Sequence, residues 1–136
     1  MNFRRIQRLL RQESGSTMIE LSVTLMFFFT VIFGTMELCS AAYSYTVLAD
    51  AVNEGVHYAI LNSADQPGAV QTVKTYATET LHDVSAINVS VTYPDGDNTP
   101  PNRVAVAVSY QYLPYVGWII PNPPTMHAYA EGRMVH

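Results

Sequence analysis

The sequence predicts an α+β protein with a long N-terminal helix, a shorter second helix and a small antiparallel sheet of about three strands. Three observations support this prediction. An apolar run lies near the start of the chain, a helical period continues beyond it, and a period of two residues follows in the C-terminal half. The 136 residues suffice for one small domain and one membrane segment.

The apolar run extends from Met18 to Ala42 and is long enough to cross a bilayer as one helix. Two carboxylates interrupt it, Glu20 near its start and Glu37 near its end. A charged side chain at the centre of a membrane helix costs about 2.5–3.5 kcal/mol, so positions near the two ends are less unfavourable. We therefore predict a transmembrane helix over residues 16–42 and a separate domain over residues 43–136.

The helical pattern continues past the membrane run. Apolar residues step by four along one face, at Leu48, Val52, Val56 and Ile60. The first helix is therefore expected to continue from about residue 16 to about residue 61. A break follows, in which Asp65 can cap a second helix and Pro67 suits a first turn. Apolar residues at helical spacing then predict that second helix over residues 69–83.

Alternation of apolar and polar residues predicts the strands. Residues 87–93 and 104–112 alternate in this way and are separated by a loop rich in Asp, Asn, Gly and Pro, so we expect an antiparallel hairpin. Residues 113–125 are apolar but irregular and contain several prolines, which we interpret as a crossover. A third alternating stretch, residues 126–131, predicts another strand near the C-terminus.

The charge distribution predicts how the chain is oriented. The first fifteen residues hold four arginines and one glutamate, for a net charge of +3, and the rest holds three cations and ten acids, for −7, which gives the total of −4. Under the positive-inside rule, the N-terminus lies in the cytoplasm and the C-terminal domain outside. Because no basic patch follows the membrane run, nucleic-acid binding is not expected.

Sequence motifs for catalysis or metal binding are absent. The four histidines stand apart, and neither an HExxH nor a G-x-S-x-G pattern occurs. The run from Asp95 to Asn98 resembles the start of a calcium loop, but Val106 stands where an EF-hand has its glutamate, so a solvated turn is the better interpretation. The only cysteine, Cys39, has no partner for an intramolecular disulfide. We expect no enzyme activity, no catalytic residue, no metal and no cofactor.

Gly15 and Glu20 are the candidate functional residues. In one interpretation a peptidase cuts after Gly15, Ser16 becomes the new amino terminus, and Glu20 is the counter-ion of a neighbouring subunit's terminal amine. In the other, Glu20 is simply solvated among lipid headgroups. The helix would pack on its neighbours through the apolar face from Leu21 to Met36, and the helix-packing residues are Leu21, Phe28, Gly34 and Glu37. Gly34 permits close helix approach, although a glycine in a membrane helix can also be merely tolerated.

Two motifs resemble the class 3 prepilin signal, specifically the TadE-like pseudopilins of the Flp/Tad tight-adherence (type IVb) pilus system. They are Gly15-Ser16-Thr17-Met18-Ile19-Glu20-Leu21 and Phe33-Gly34-Thr35-Met36-Glu37. The resemblance implies a basic leader over residues 1–15, removed after Gly15 by a membrane-embedded aspartic prepilin peptidase. It also implies retention in the inner membrane with the domain in the periplasm.

The role implied by the resemblance is that of a minor pilin or pseudopilin that assists pilus assembly for adhesion or secretion. Its partners would be other pilins, the Tad assembly machinery and membrane lipid. Removal of the fifteen-residue leader would leave 121 of the 136 residues. Because the main pilins of this system are very short, a minor subunit fits better than the main fibre.

Two alternatives remain at this point. The first is a signal-anchored periplasmic binding or adhesion module that is never processed and does not depend on Gly15 or Glu20. The second is a small secreted hydrolase released near Ala42. The aromatic residues of the C-terminal half also leave two roles open, since they either form a contact surface or belong to the core. They are Tyr110, Tyr112, Tyr115, Trp118 and Tyr129.

Overall fold

The computed structural model describes residues 3–62, 65–81, 83–117 and 120–135, with side chains from residue 15 onwards. Within these residues the chain forms, in order, α1 (Phe3–Leu61), α2 (Gln66–Thr80), β1 (Ile87–Thr92), β2 (Arg103–Gln111) and β3 (Thr125–Arg133). This architecture confirms the predicted α+β class. The chain divides into two compact units, an N-terminal unit, Met1–Glu37, and a C-terminal unit, Leu38–His136.

Helix α1 begins at Phe3, well before the start expected near residue 16. The difference has a local cause, because residues 3–14 are rich in Arg, Gln, Leu and Glu, which are strong helix formers, and contain no proline. A glycine inside a helix costs only about 1 kcal/mol relative to alanine, so Gly15 does not end it. At the other end, the backbone N–H and the side-chain amide of Asn62 both donate to the Tyr58 carbonyl oxygen, at 2.9 and 3.1 Å.

Asp65 caps helix α2, as the sequence predicts. Its Oδ1 accepts a hydrogen bond from the backbone N–H of Gly68 at 3.0 Å, and its Oδ2 accepts one from the Tyr58 hydroxyl at 2.7 Å. Pro67 lies in the first turn, where its missing N–H is not needed. The helix therefore starts three residues earlier than residue 69, directly behind its cap.

The described strands form an antiparallel sheet in the order β1-β2-β3. Val106 in β2 lies opposite Val91 in β1 and Ala130 in β3, so apolar residues meet across the sheet. The interpretation of residues 113–125 as a crossover is wrong, because Gln111 pairs with Thr125 and the segment simply joins neighbouring antiparallel strands. Alternation of apolar and polar residues predicts a strand but does not show which strand it pairs with, so the sequence did not indicate that β3 lies next to β2.

The core of the C-terminal unit lies between the sheet and the two helices. Its largest fully buried side chains are Leu48, Val52, Val73, Val104, Val106, Val108, Tyr112 and Met134. Helices α1 and α2 approach closely at Gly55, where an added Cβ would collide with the Val73 side chain. Strand β3 approaches α1 at Gly132, where an added Cβ would meet the side chains of Ile60 and Val56. These contacts give the C-terminal unit a compact apolar interior.

Candidate assembly and processing site

The surface of the apolar segment, residues 15–37 of α1, is uncovered except at Glu37 and, in part, at Gly34. Among the described residues, Gly15–Leu61 is the helix long and apolar enough to cross a membrane, and its most apolar window is not buried. Met18 and Phe27 are each 72% exposed and Met26 is 74% exposed. Exposed apolar surface is unfavourable in water by about 25 cal/mol per Å², so this segment needs lipid or neighbouring helices around it.

The polar side chains of the apolar segment suit an apolar surrounding. Four of its hydroxyls donate to the carbonyl oxygen four residues earlier, at 2.8 Å for Ser22, 2.9 Å for Thr24, 2.8 Å for Thr30 and 2.8 Å for Thr35. In the hydrocarbon region no water is present to accept such a donor, so polar groups must be satisfied within the protein. These four hydroxyl donors therefore meet the requirement inside the helix itself.

Gly15 lies inside α1, and a Cβ added to it would meet no atom within 4 Å. Its backbone does not have a positive φ, since Gly96 is the glycine with that conformation among the described residues. The fold therefore does not require glycine at position 15. Ser16 and Glu20 follow, both exposed and one helical turn apart, so their side chains lie on the same face of the helix.

The four predicted packing residues fall into two groups. Leu21 and Phe28 are 57% and 56% exposed, lie two turns apart on one face, and are available to another helix. Gly34 is half-buried, and a Cβ added to it would meet no atom within 4 Å. Glu37 differs, because it is only 2% exposed within the chain itself. The exposed surface for a neighbouring helix thus contains Leu21 and Phe28 but not Glu37.

Aromatic rings add a ridge to the apolar segment that the sequence reasoning did not single out. The rings of Phe28 and Phe29 meet edge to face with centroids 6.1 Å apart, and those of Phe29 and Phe33 stack at 6.2 Å. The spacing of Phe29 and Phe33 by four residues was the available signal, since residues at i and i+4 are neighbours on a helix. The rings stiffen an exposed apolar surface against which another helix can pack.

A polar network closes the loop between β1 and β2. Asp95 accepts hydrogen bonds from the Arg103 backbone N–H at 2.8 Å and from its guanidinium at 2.9 Å, and Arg103 also lies 3.6 Å from Glu131 of β3. The hydrogen bond from Arg103 lowers the pKa of Asp95. Asp97 accepts from Thr99, which likewise lowers the pKa of Asp97. These carboxylates hold a solvated turn in place, as interpreted from the sequence.

No group of three or more histidine, cysteine, aspartate or glutamate side chains in the part of the chain that the structure describes is arranged to hold a metal ion. The predicted functional residues instead follow one another along a single helix. Such an arrangement supports contact with a partner chain, because the side chains of Ser16, Glu20, Leu21 and Phe28 are exposed on the helix surface.

The tyrosines of the C-terminal unit separate into core and surface residues. Tyr110 and Tyr112 are 3% and 2% exposed, whereas Tyr115 and Tyr129 are 63% and 62% exposed. Trp118 lies outside the described residues. The core interpretation therefore holds for Tyr110 and Tyr112, whereas a contact role for the exposed Tyr115 and Tyr129 stays a prediction.

Comparison with protein families relates part of the chain to a known family. Residues 15–57 are similar to the family model described as TadE-like protein. The match begins at Gly15, includes the whole apolar segment and ends at His57 in the part of α1 that belongs to the C-terminal unit. Comparisons with curated proteins and with solved structures gave no significant match.

Proposed function

We propose that the chain, whose residues 15–57 are similar to the TadE-like family model, belongs to the Tad pilus system as a minor pilin or pseudopilin that is cut after Gly15 and assists pilus assembly. The observation that carries this proposal is the uncovered apolar segment, which starts at the family match and carries Glu20 five residues after Gly15. An exposed apolar helix with an acid near its start is suited to joining a bundle of like helices.

Cleavage after Gly15 is the first step of the proposal. The leader contains Arg4, Arg5, Arg8 and Arg11, and four guanidinium groups cannot enter a bundle of apolar helices without a large desolvation penalty. Removing the leader converts an inserted precursor into a subunit able to assemble. The open space around Gly15 supports this role, because the fold itself does not require glycine at this position. A prepilin peptidase does require it, since the enzyme must approach the backbone closely.

Charge pairing by Glu20 is the second step. Cleavage leaves a positively charged amine at Ser16, which needs a counter-ion once it is surrounded by apolar helices. Within one subunit Glu20 lies one turn away on the same face, and its side chain is exposed. In a bundle with a stagger between neighbours, the Glu20 carboxylate of one subunit pairs with the Ser16 amine of the next. Leu21 and Phe28 supply apolar contact beside this pair.

The membrane placement follows from the charge pattern. The basic leader stays in the cytoplasm, the apolar segment crosses the inner membrane, and the acidic C-terminal unit lies in the periplasm. In this position the chain meets membrane lipid, the prepilin peptidase, other pilins and the Tad assembly machinery. The C-terminal unit then acts through contacts that serve adhesion or secretion, and not as an enzyme.

The decisive experiment is the intact mass and N-terminal sequence of the protein taken from membranes of its native host. The proposal predicts a start at Ser16. Gly15→Val is expected to abolish the cut because its side chain blocks approach to the bond. Gly34→Val makes the same change in the same helix, also in open space, and is the matched control that is still cut.

Other start sites would overturn the proposal in distinguishable ways. A start at Met1 in the unaltered protein would indicate the unprocessed signal-anchored binding or adhesion module. A start near Tyr43 would indicate a secreted domain. Equal processing of Gly15→Val and Gly34→Val would show that the cleavage site lies elsewhere.

A further inference from the structure

An uncharged aromatic cluster lies on the C-terminal unit beside α1. It consists of Tyr43 on α1 and of Leu113 and Tyr115 after β2, which are 56%, 49% and 63% exposed. All three line one hollow, whose remaining walls are Ser40, Ser44, Thr80, Leu81, Tyr110 and Tyr112. None of the residues around this hollow carries a formal charge.

The fold holds the cluster in its exposed position. Tyr110 and Tyr112 at the end of β2 are buried, and Tyr110 is hydrogen-bonded to the backbone of Leu113. The backbone N–H of Tyr112 donates to the Pro124 carbonyl oxygen at 3.2 Å, which ties this segment to the chain entering β3. Leu113 therefore directly follows residues whose side chains are held in the core. Their burial keeps the backbone of Leu113 in place and leaves its side chain exposed.

The position of the cluster along α1 places it at the edge of the bilayer. The hydrocarbon core is about 30 Å thick and takes about 20 helical residues to cross. Counted from Leu21, the first residue after Glu20, this length ends at Ser40. Because Ser40 and Tyr43 line the same hollow as Leu113 and Tyr115, the segment after β2 reaches the level of the helix at which lipid chains give way to headgroups.

The chemistry of the cluster suits that level. Tyrosine has an apolar ring and a polar hydroxyl, and it is enriched at both membrane–water interfaces. Tyr129 provides a contrast, since it is as exposed as Tyr115 but its hydroxyl donates to Glu131 at 2.7 Å, next to Arg103. One exposed tyrosine thus lies among charges, whereas the other lines a hollow whose residues carry no charge.

We propose that Tyr43, Leu113 and Tyr115 form an interfacial contact that holds the C-terminal unit against the surface of the bilayer that α1 crosses. The occupant is the boundary between the headgroups and acyl chains of uncharged phospholipid. This contact orients the unit on the membrane before the subunit enters an assembly. It rests on the membrane anchor of the proposed function but not on cleavage after Gly15, so uncut protein suffices to test it.

The test uses the full chain reconstituted into phosphatidylcholine vesicles whose acyl chains carry bromine, a short-range quencher of tryptophan fluorescence. Trp118→Phe removes the native tryptophan, and Tyr115→Trp then places a single tryptophan in the cluster. Tyr129→Trp in the same background is the matched control, because the two tyrosines are equally exposed. We expect quenching of at least about twofold at position 115 and little at position 129, since interfacial groups lie about 5–10 Å into the boundary.

Equal quenching at the two positions, or none at position 115, would overturn the proposal. Quenching at position 115 that falls as the protein-to-lipid ratio rises would also overturn it, because a second copy would then be the occupant. If Tyr115→Trp does not fold by circular dichroism, Leu113→Trp makes the same test from the same segment, since Leu113 is also exposed. Failure of the anchor itself is distinguishable, since the protein would then not sediment with the vesicles.

Discussion

Helix α1 contains two stretches with the same backbone and opposite surfaces. In residues 15–37, large apolar side chains point outwards around the helix, and Leu25 is 44% exposed. In residues 38–61, one face is buried, where Leu48 is fully covered, and polar residues such as Asp50 occupy the exposed face. The backbone is thus helical both where its side chains are exposed and where one face is buried. The distribution of apolar residues shows which surroundings each stretch needs.

The two glycines of these stretches differ in the same way. A Cβ at Gly34 would meet nothing within 4 Å, but a Cβ at Gly55 would collide with the Val73 side chain. Glycine at position 55 is therefore a packing requirement of the C-terminal unit. Glycine at position 34 is free to serve a contact with another helix.

The largest expected effect comes from truncating one leucine in each stretch, the buried Leu48 and the exposed Leu25. Leu48→Ala removes a fully buried side chain, and such truncations cost about 2–5 kcal/mol of unfolding free energy because they leave a cavity. Leu25→Ala, in the exposed stretch, is expected to change the stability of the C-terminal unit by less than about 0.5 kcal/mol. Urea unfolding of the full chain in detergent micelles, followed by near-ultraviolet circular dichroism of the tyrosines, measures both. Equal losses would erase the distinction between the two stretches.

The next largest effect on stability is expected from replacing Gly55 or Gly34 by alanine. Gly55→Ala is expected to destabilise the C-terminal unit by about 1–3 kcal/mol, because it overfills a packed contact. Gly34→Ala is expected to leave that unit unchanged in the same unfolding measurement. Adding Val73→Ala to Gly55→Ala removes the colliding atoms, so the two changes together should cost less than the sum of their separate effects. Simple additivity would mean that the helices do not meet at Gly55.

The third effect is expected from removing the negative charge of Glu20 at the start of the apolar segment. Glu20→Gln should still insert and be cut, but its incorporation into assemblies should fall by about tenfold or more, because the terminal amine loses its counter-ion. Glu54→Gln removes one negative charge from the exposed face of the other stretch and is the matched control. Quantifying the subunit in sheared pilus fractions against whole membranes measures both. Normal incorporation of Glu20→Gln would favour the solvated role of Glu20.

The smallest expected effect concerns the cap of α2. The Tyr58 hydroxyl and then the Gly68 N–H stabilise the ionised carboxylate of Asp65, so its folded-state pKa lies below the ordinary value of 3.8. This contribution to stability is present above pH 3.8 and is lost as the pH falls through the lowered pKa. Asp65→Asn should make the acid side of the stability curve less steep, as measured by thermal melting at several pH values.

Tyr58→Phe tests the same cap from its other side. It removes the hydroxyl donor and should also reduce the steepness of the stability curve, by less than Asp65→Asn because the Gly68 N–H remains. Some slope should persist in both variants, since neighbouring groups also lower the pKa of Asp95 and Asp97. An unchanged curve in Asp65→Asn would show that the cap contributes no pH dependence.

Much of the fold and of the candidate site could be predicted because the signals are local. The apolar run, the step of four from Leu48 to Ile60 and the alternation in each strand all depend on residues close together in the chain. Asp65 could be identified as a cap because capping joins residues two or three positions apart. Gly15 and Glu20 belong to a short linear motif and needed no fold to be recognised.

Tertiary structure alone decided the contacts between residues far apart in sequence. It paired β3 directly with β2, buried Glu37, and made Gly55 a point of helix contact. It also placed Tyr110 in the core and left Tyr115 on the surface, although both are tyrosines beside apolar residues. A sequence period specifies which face of an element is apolar. Which distant element covers that face depends on how the chain folds back on itself, and no local pattern contains that information.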